Sequence, residues 1–283
     1  MIAELKHYKE KKVRVGNIEI NYAEAGKGKP MVFIHGWTNN WWGWIPLAEI
    51  LKTKYRVILM DLPGYGESGQ LKRYSLKIEA KYIKLFLEKL KIDKATIVGH
   101  SMGTYVVSRF LSLYPEKINK AILIGTVFRK GNKNMRLKIT RKFFETVNGH
   151  NKIESLIKNI IDRKFYAYWV SKYVNMYKFD KNLVDKYGMV GRLKTSKEVY
   201  VDMGIEISGS DNDQYIAGSK VPILLIYGEK DKLCGLEQAK KCLKEKGDFQ
   251  FVDIKEAGHT VTVEKPKEVA EAIEEFLGGI LTV

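Results

Sequence analysis

Ser101 stands at the centre of Gly99-His100-Ser101-Met102-Gly103, a G-x-S-x-G sequence in which a hydroxyl could serve as a nucleophile. Ala95-Thr96-Ile97-Val98 runs into it with strand propensity, and Tyr105 to Leu111 follow with apolar residues at helical spacing. The stretch reads as strand, sharp turn, helix. A serine at the apex of such a turn is held in a strained backbone conformation. Glycines at 99 and 103 keep side chains from colliding with the neighbouring strand and helix. The turn lifts the hydroxyl clear of the sheet. It also sets the Met102 amide at a helix N-terminus, where developing negative charge is stabilised. So short a pattern recurs by chance, and the alternative for Ser101 is a buried turn serine; the surroundings must decide.

The elements that would position it follow from periodicity. Val13-Arg14-Val15 and Ile18 to Tyr22 alternate around Gly16-Asn17, a hairpin signal. Met31-Val32-Phe33-Ile34 has no polar face and suits a strand covered on both sides, ending at His35-Gly36-Trp37. A helix over Trp44 to Leu51 precedes another buried strand, Tyr55 to Met60, which runs into Asp61-Leu62-Pro63-Gly64-Tyr65-Gly66-Glu67-Ser68. Ile78, Tyr82, Leu85, Phe86 and Leu90 give one apolar helical stripe. After the elbow helix comes the strand Ala121 to Ile124, and such alternation is solved most naturally by a parallel sheet. From residue 127 to about 219 the alternation stops, and helices rich in lysine and aromatic residues are expected. It resumes with strand Val221 to Tyr227, helix Leu236 to Lys244, strand Phe249 to Ile254 and a closing helix with Val269, Ile273, Phe276 and Leu277 on one face. The expected organisation is an α/β core of residues 1–126 and 220–283, divided by a helical subdomain of residues 127–219.

A serine nucleophile needs a base and a residue that orients it, and parallel strands carry such groups at their C-terminal ends. Strand Val221 to Tyr227 is followed by Gly228-Glu229-Lys230-Asp231, and the last strand by Glu256-Ala257-Gly258-His259. The chain order is Ser, Asp, His. On four separately placed signals, His35-Gly36, Gly99-x-Ser101-x-Gly103, Gly228-x-x-Asp231 and Gly258-His259, the chain resembles the α/β-hydrolase family over nearly its whole length. The Asp61-x-Pro-Gly-x-Gly-x-Ser68 run, usual in that family, is a fifth. The resemblance implies a mostly parallel twisted sheet flanked by helices, a helical cap inserted after the sixth strand, and a serine hydrolase of carboxylesterase or lipase type.

Roles then follow. His259, as neutral imidazole, would take the Ser101 proton as Oγ attacks a carbonyl carbon and return it to the leaving group. Asp231 would hold the imidazole tautomer, although it stands beside Glu229 and Lys230 and could be one more solvated charge. The family sometimes places its acid after the preceding strand, but that end reads Gly125-Thr126-Val127 here and offers no carboxylate. The backbone amides of Met102 and, by resemblance, Trp37 would meet the oxyanion. His35 and His100 are expected to order loops, and Asp61 and Ser68 to cap and bend a turn.

Specificity is less legible. Trp37, Trp41, Trp42 and Trp44 lie within eight residues beside the oxyanion loop, and could wall an acyl pocket or anchor the helical insertion to the sheet. Phe165, Trp169, Tyr173 and Tyr177 recur at i, i+4, a stripe that reads as core or as substrate-facing. Trp41, Trp42, Phe165 and Trp169 are the candidate pocket residues. Arg129 to Lys142 holds seven basic residues and no acidic one, with Met135, Ile139 and Phe143 at helical spacing. That pattern reads as a solvated basic helix or as an interfacial lid with weak affinity for an anionic membrane surface.

The net charge is +16, from 49 Lys+Arg against 33 Asp+Glu, yet no nucleic-acid motif accompanies it, so a lysine-rich solvated surface is the expectation. No signal-peptide-like or membrane-spanning run occurs, which suits a cytoplasmic protein. Cys234 and Cys242, eight apart on an expected helix, are too far apart to bridge and lack metal-ligand spacing; no metal and no cofactor are expected. The leading function is hydrolysis of carboxylic esters of apolar acyl groups through an acyl-enzyme, on a small-molecule substrate. Epoxide hydrolases and haloalkane dehalogenases put Asp at the elbow, and Ser101 argues against both. The main alternative within the fold is a carbon-carbon bond hydrolase, whose acidic substrate could find a counter-charge in the basic insertion. Cofactor-free perhydrolases share the triad, as do ligand sensors of the same fold, which hydrolyse slowly.

Overall fold

The computed structural model of the chain describes residues 8–128, 135–243 and 249–278. Strands β1 (Lys9–Val15) and β2 (Ile18–Ala25) form the hairpin expected at Gly16-Asn17, where Gly16 supplies the positive φ of the turn. β3 (Pro30–Ile34), β4 (Arg56–Met60), β5 (Ala95–His100), β6 (Ile118–Ile124), β7 (Ile223–Gly228) and β8 (Phe249–Ile254) complete one eight-stranded sheet in the order β1-β2-β4-β3-β5-β6-β7-β8. β2 pairs antiparallel with β1 and β4, and every later pairing is parallel.

The central strands lack a polar face because both faces are covered. Successive side chains of a strand point to opposite faces, so β3 sends Val32 and Ile34 into one core and Met31 and Phe33 into the other. The first core is closed by α2 (Leu76–Lys89) and α3 (Met102–Leu113), the second by α1 (Ile45–Leu51) and the closing helix α9 (Pro266–Phe276). α1 starts at Ile45 rather than Trp44, because Trp41–Trp44 forms a tighter 3₁₀ turn capped by the Asn40 side chain. The buried face of α2 is also rotated from the expected stripe. Leu76, Glu79, Ala80, Ile83 and Leu87 join Tyr82 and Phe86 inside, while Ile78 and Leu85 are only partly buried.

Between β6 and β7 the described residues are helical, and the strand alternation stops where the sequence indicates. α4 (Met135–Val147), α5 (Asn151–Ile161) and α6 (Lys164–Val170) follow one another through short turns, and between α6 and α7 (Lys197–Gly209) lie two single π-helical turns, Ser171–Asn175 and Val184–Gly188, and the short helices Lys181–Leu183 and Met189–Leu193. Residues 129–134 of the basic stretch lie outside the described residues. Of its apolar stripe, Ile139 and Phe143 face solvent. α8 (Leu236–Leu243) precedes β8, and Cys234 lies in the loop before it rather than on the helix. Among the described residues, no helix is long and apolar enough to cross a membrane.

Candidate active site

Ser101 has φ 52° and ψ −117°, a left-handed conformation that only a tightly fitted turn imposes on a serine. The flanking glycines are explained by distance. A Cβ on Gly103 would lie 2.2 Å from the Ile34 carbonyl oxygen, and one on Gly99 would lie 2.8 Å from that of Gly103. β3, β5 and α3 therefore meet around the serine at a separation that excludes side chains, and the hydroxyl is left at the C-terminal edge of the sheet.

The three residues singled out in the sequence converge there. Ser101 Oγ lies 2.8 Å from His259 Nε2, and His259 Nδ1 lies 2.7 Å from Asp231 Oδ2. Each comes from the C-terminal end of a different strand: Ser101 after β5, Asp231 after β7 and His259 after β8. Close approach again requires glycine, since a Cβ on Gly228 would lie 2.2 Å from the Gly258 carbonyl oxygen. Burial pushes the Asp231 carboxyl up, but the adjoining His259 and the donors around it prevail and hold it down at about 2. Leu233 and Cys234 donate backbone N–H to Oδ1 at 2.8 and 3.2 Å, and the Cys234 thiol donates to Oδ2 at 3.0 Å. A hydroxyl bound to an imidazole whose far nitrogen meets a buried carboxylate can lose its proton as it attacks carbon.

Cys234 was not among the candidate residues, and its only sequence signal is its place three residues after Asp231. Its Sγ, an Asp231 oxygen and a His259 nitrogen lie within 4.8 Å of one another. These atoms are already joined by hydrogen bonds, and burial together with the Asp231 charge pushes the thiol pKa up, away from the thiolate a metal prefers.

The two histidines beside Trp37 and Ser101, His35 and His100, order loops. Leu62 N–H donates to His35 Nε2 at 3.2 Å, so Nδ1 carries the proton and donates to the Gly36 carbonyl at 2.9 Å. His100 Nε2 donates to the His259 carbonyl at 2.9 Å. Burial lowers both rings to about 4, which keeps them neutral near pH 7. Asp61 holds the far end of the loop that carries Trp37. Oδ1 accepts from Trp41 N–H at 2.9 Å, and Oδ2 from the Asn21 amide and Glu67 N–H. Burial raises Asp61 to about 6 against these donors, and Ser68 Oγ donates to the Asp61 carbonyl at 2.7 Å.

Met102 opens α3, and Trp37 follows Gly36, where an added Cβ would come within 3.3 Å of Ser101 Cβ. Ser101, His259 and Trp37 border a cavity of about 290 Å³, whose walls continue through Tyr166, Val170 and Tyr187 of the helical segment. Both π turns border it, through Val174 and Val184 among others. Four expected pocket residues are elsewhere. Trp41 is buried in the second core against Tyr8, and Trp42 packs partly buried at its edge. Phe165 and Trp169 are 71% and 51% exposed. The i, i+4 stripe from Phe165 to Tyr177 is thus neither core nor pocket. The neighbouring face of α6, Tyr166, Ala167 and Val170, borders the cavity, and the outward face carries the larger rings. Of the clustered tryptophans, Trp37 does link sheet to helices, stacked at 4.5 Å on Tyr200 and edge-on to Phe144.

A profile described as alpha/beta hydrolase fold matches residues 29–266, and the chain belongs to that family. It is 27% identical to a 2-hydroxy-6-oxo-6-(2'-aminophenyl)hexa-2,4-dienoic acid hydrolase of Metapseudomonas resinovorans, over 95% of this chain and 91% of that protein. It is also 27% identical to human epoxide hydrolase 4, over 94% of this chain and 77% of that one. Among solved structures it is similar to a serine hydrolase involved in carbazole degradation, the CarC enzyme, with a TM-score of 0.77, 25% identity, and coverage of 96% and 99%. A thermophilic esterase from Thermogutta terrifontis superposes with a TM-score of 0.77 at 22% identity, over 95% of this chain and 98% of that one, a likeness of fold.

Proposed function

We propose that the chain is a serine hydrolase that cleaves carboxylic esters of apolar acyl groups through an acyl-enzyme, with residues 127–219 as a cap over its site. The observation that carries this reading is the unbroken chain Ser101, His259, Asp231 opening onto a largely apolar cavity. His259 removes the hydroxyl proton as Ser101 Oγ attacks the acyl carbon. The Met102 and Trp37 amides receive the oxyanion, and His259 then protonates the departing alcohol. Water, activated by the same imidazole, releases the acid. A serine at the elbow sets the chain apart from hydrolases that form an ester on aspartate.

One observation favours a second reading, hydrolysis of a carbon-carbon bond in a substrate bearing a carboxylate. Arg192 borders the same cavity, its Nε is buried without a hydrogen-bond partner, and among the described residues no carboxylate pairs with it. Burial pushes its pKa down, and the nearby Asp162 carboxylate, itself paired with Lys158, only partly offsets this. Gly191 fixes its place, because a Cβ there would lie 2.5 Å from Asn39 Cα in the oxyanion loop. A carboxylate on the substrate would satisfy that guanidinium. The Metapseudomonas relative is named for a dienoic acid.

The deciding measurement is kcat/KM for nitrophenyl acetate, butyrate, octanoate and palmitate and for a 2-hydroxy-6-oxodienoate, on wild type, Ser101→Ala and Arg192→Met. Ester hydrolysis with a clear chain-length optimum, lowered by a factor on the order of 10⁴ to 10⁶ in Ser101→Ala, is the expected result. Weak ester turnover beside rapid dienoate cleavage, with KM raised about tenfold or more in Arg192→Met, would establish the second reading. Turnover unaffected by Ser101→Ala would overturn both.

A further inference from the structure

The outward face of the helical segment is both apolar and basic. Ile153, Leu156 and Ile160 of α5 and Phe165, Trp169 and Tyr173 of α6 and the following π turn are all exposed, Leu156 to 60% and Phe165 to 71%. Isolated exposed apolar side chains are ordinary, but a succession at helical spacing on consecutive elements is not. Over the same residues the exposed cations are Lys152, Arg163, Lys164, Lys172, Lys178 and Lys181, whereas Asp180 is the one exposed carboxylate between residues 151 and 181; from outside that stretch Asp185 lies 3.5 Å from Lys164 and Glu256 3.9 Å from Lys178, so cations remain in excess on the face. Asp180 is engaged in capping the turn at Lys181. Lys172 lies 5.3 Å from the Tyr173 ring centre, so charge and aromatic surface are interleaved rather than segregated.

We infer that this face docks on an anionic lipid surface. Rings of Trp and Tyr with flanking lysines are the composition that settles at the boundary of headgroups and acyl chains, where the rings are buried and the cations meet phosphate. A second copy of the chain fits the face less well. A two-fold contact would set this patch against itself and bring its excess of cations against the same excess. The surface differs from the basic stretch of residues 129–142. It is also the outer side of the helix whose inner side, Tyr166, Ala167 and Val170, borders the cavity, so docking would bring lipid against the roof of the site.

The test is co-sedimentation of the full chain with vesicles of phosphatidylcholine alone and with added phosphatidylglycerol, at low and high salt. Wild type is expected to bind the phosphatidylglycerol vesicles, with the bound fraction falling as salt screens the attraction. The triple variant Phe165→Ala/Trp169→Ala/Tyr173→Ala should weaken partitioning at least tenfold, and Lys164→Gln/Lys172→Gln/Lys178→Gln about a hundredfold at low salt. All six side chains are at the surface, so both variants should keep the wild-type melting temperature and the rate on a monomeric, water-soluble ester. Absence of binding by wild type, or binding unchanged in both variants, would overturn the inference. So would a stable wild-type dimer that the aromatic variant dissociates and that ignores vesicles.

Discussion

Asp231 shows how much a single residue depends on neighbours that the sequence does not advertise. Its carboxylate takes one bond from His259 and three from the loop at 233–234, and these outweigh the burial that would otherwise raise its pKa. Replacing it by asparagine keeps the shape but reverses what the atom facing Nδ1 can accept. Asp231→Asn is expected to lower kcat by about 10⁴ while KM stays nearly unchanged, because the imidazole is then held in the wrong tautomer. Steady-state kinetics on the best ester checks this, and an unaltered kcat would move the orienting role to another group. Cys234→Ala should leave most of that activity, since the two backbone donors to Oδ1 remain.

Among the elements, α2 carries an anomaly. Glu79 is fully buried on its inner face, and neither carboxyl oxygen has a hydrogen-bond partner. Burial therefore drives its pKa well above the ordinary carboxylate value and favours the protonated form in the fold. A group whose folded pKa is raised contributes stability below its unfolded pKa and loses it as pH rises toward the folded one. Methionine keeps the unbranched shape without polar oxygens. Glu79→Met is expected to raise unfolding free energy by roughly 1–3 kcal/mol, with a larger gain at pH 8 than at pH 4. Denaturant melts at the two pH values measure both the sign and the slope. The sequence placed the apolar stripe of α2 one position away, because Ile78 and Leu85 fit a helical period as well as Leu76 and Ile83 do, and only contact with the sheet selects between them.

Across the whole molecule the buried titrating groups oppose one another. His35 and His100, lowered to about 4, lose stability as pH falls from about 6.5 to 4, because the unfolded chain takes up protons first. Asp61, raised to about 6, and Glu79 gain stability over much of that interval for the converse reason. With the two kinds of group opposed, the melting temperature should not fall steeply between pH 6 and 4.5. Below pH 4 it should drop, as Asp231 protonates toward its folded value of about 2 and the net positive charge grows. Calorimetry across pH 3–7 tests this, and a steep fall already at pH 6 would contradict the balance. At the same scale, the +16 charge has a location that composition alone could not give it. Part of it gathers beside exposed rings on the helical segment.

The sequence by itself determined the order of the core elements and singled out three residues that the fold brings together. A strand, a sharp turn and the glycines around it are specified within ten residues, and Ser101, Asp231 and His259 each stand at the end of a short apolar run. Register and turn geometry then leave those three ends little choice but to meet. The tertiary structure alone decided which face of each inserted helix turns inward. Tyr166 and Val170 border the cavity, whereas Phe165 and Trp169 do not, although both pairs share the same spacing. Arg192 and Cys234 entered the site in the same way. Their positions depend on contacts between segments distant in sequence, such as Gly191 against Asn39, and such contacts leave no local period to read.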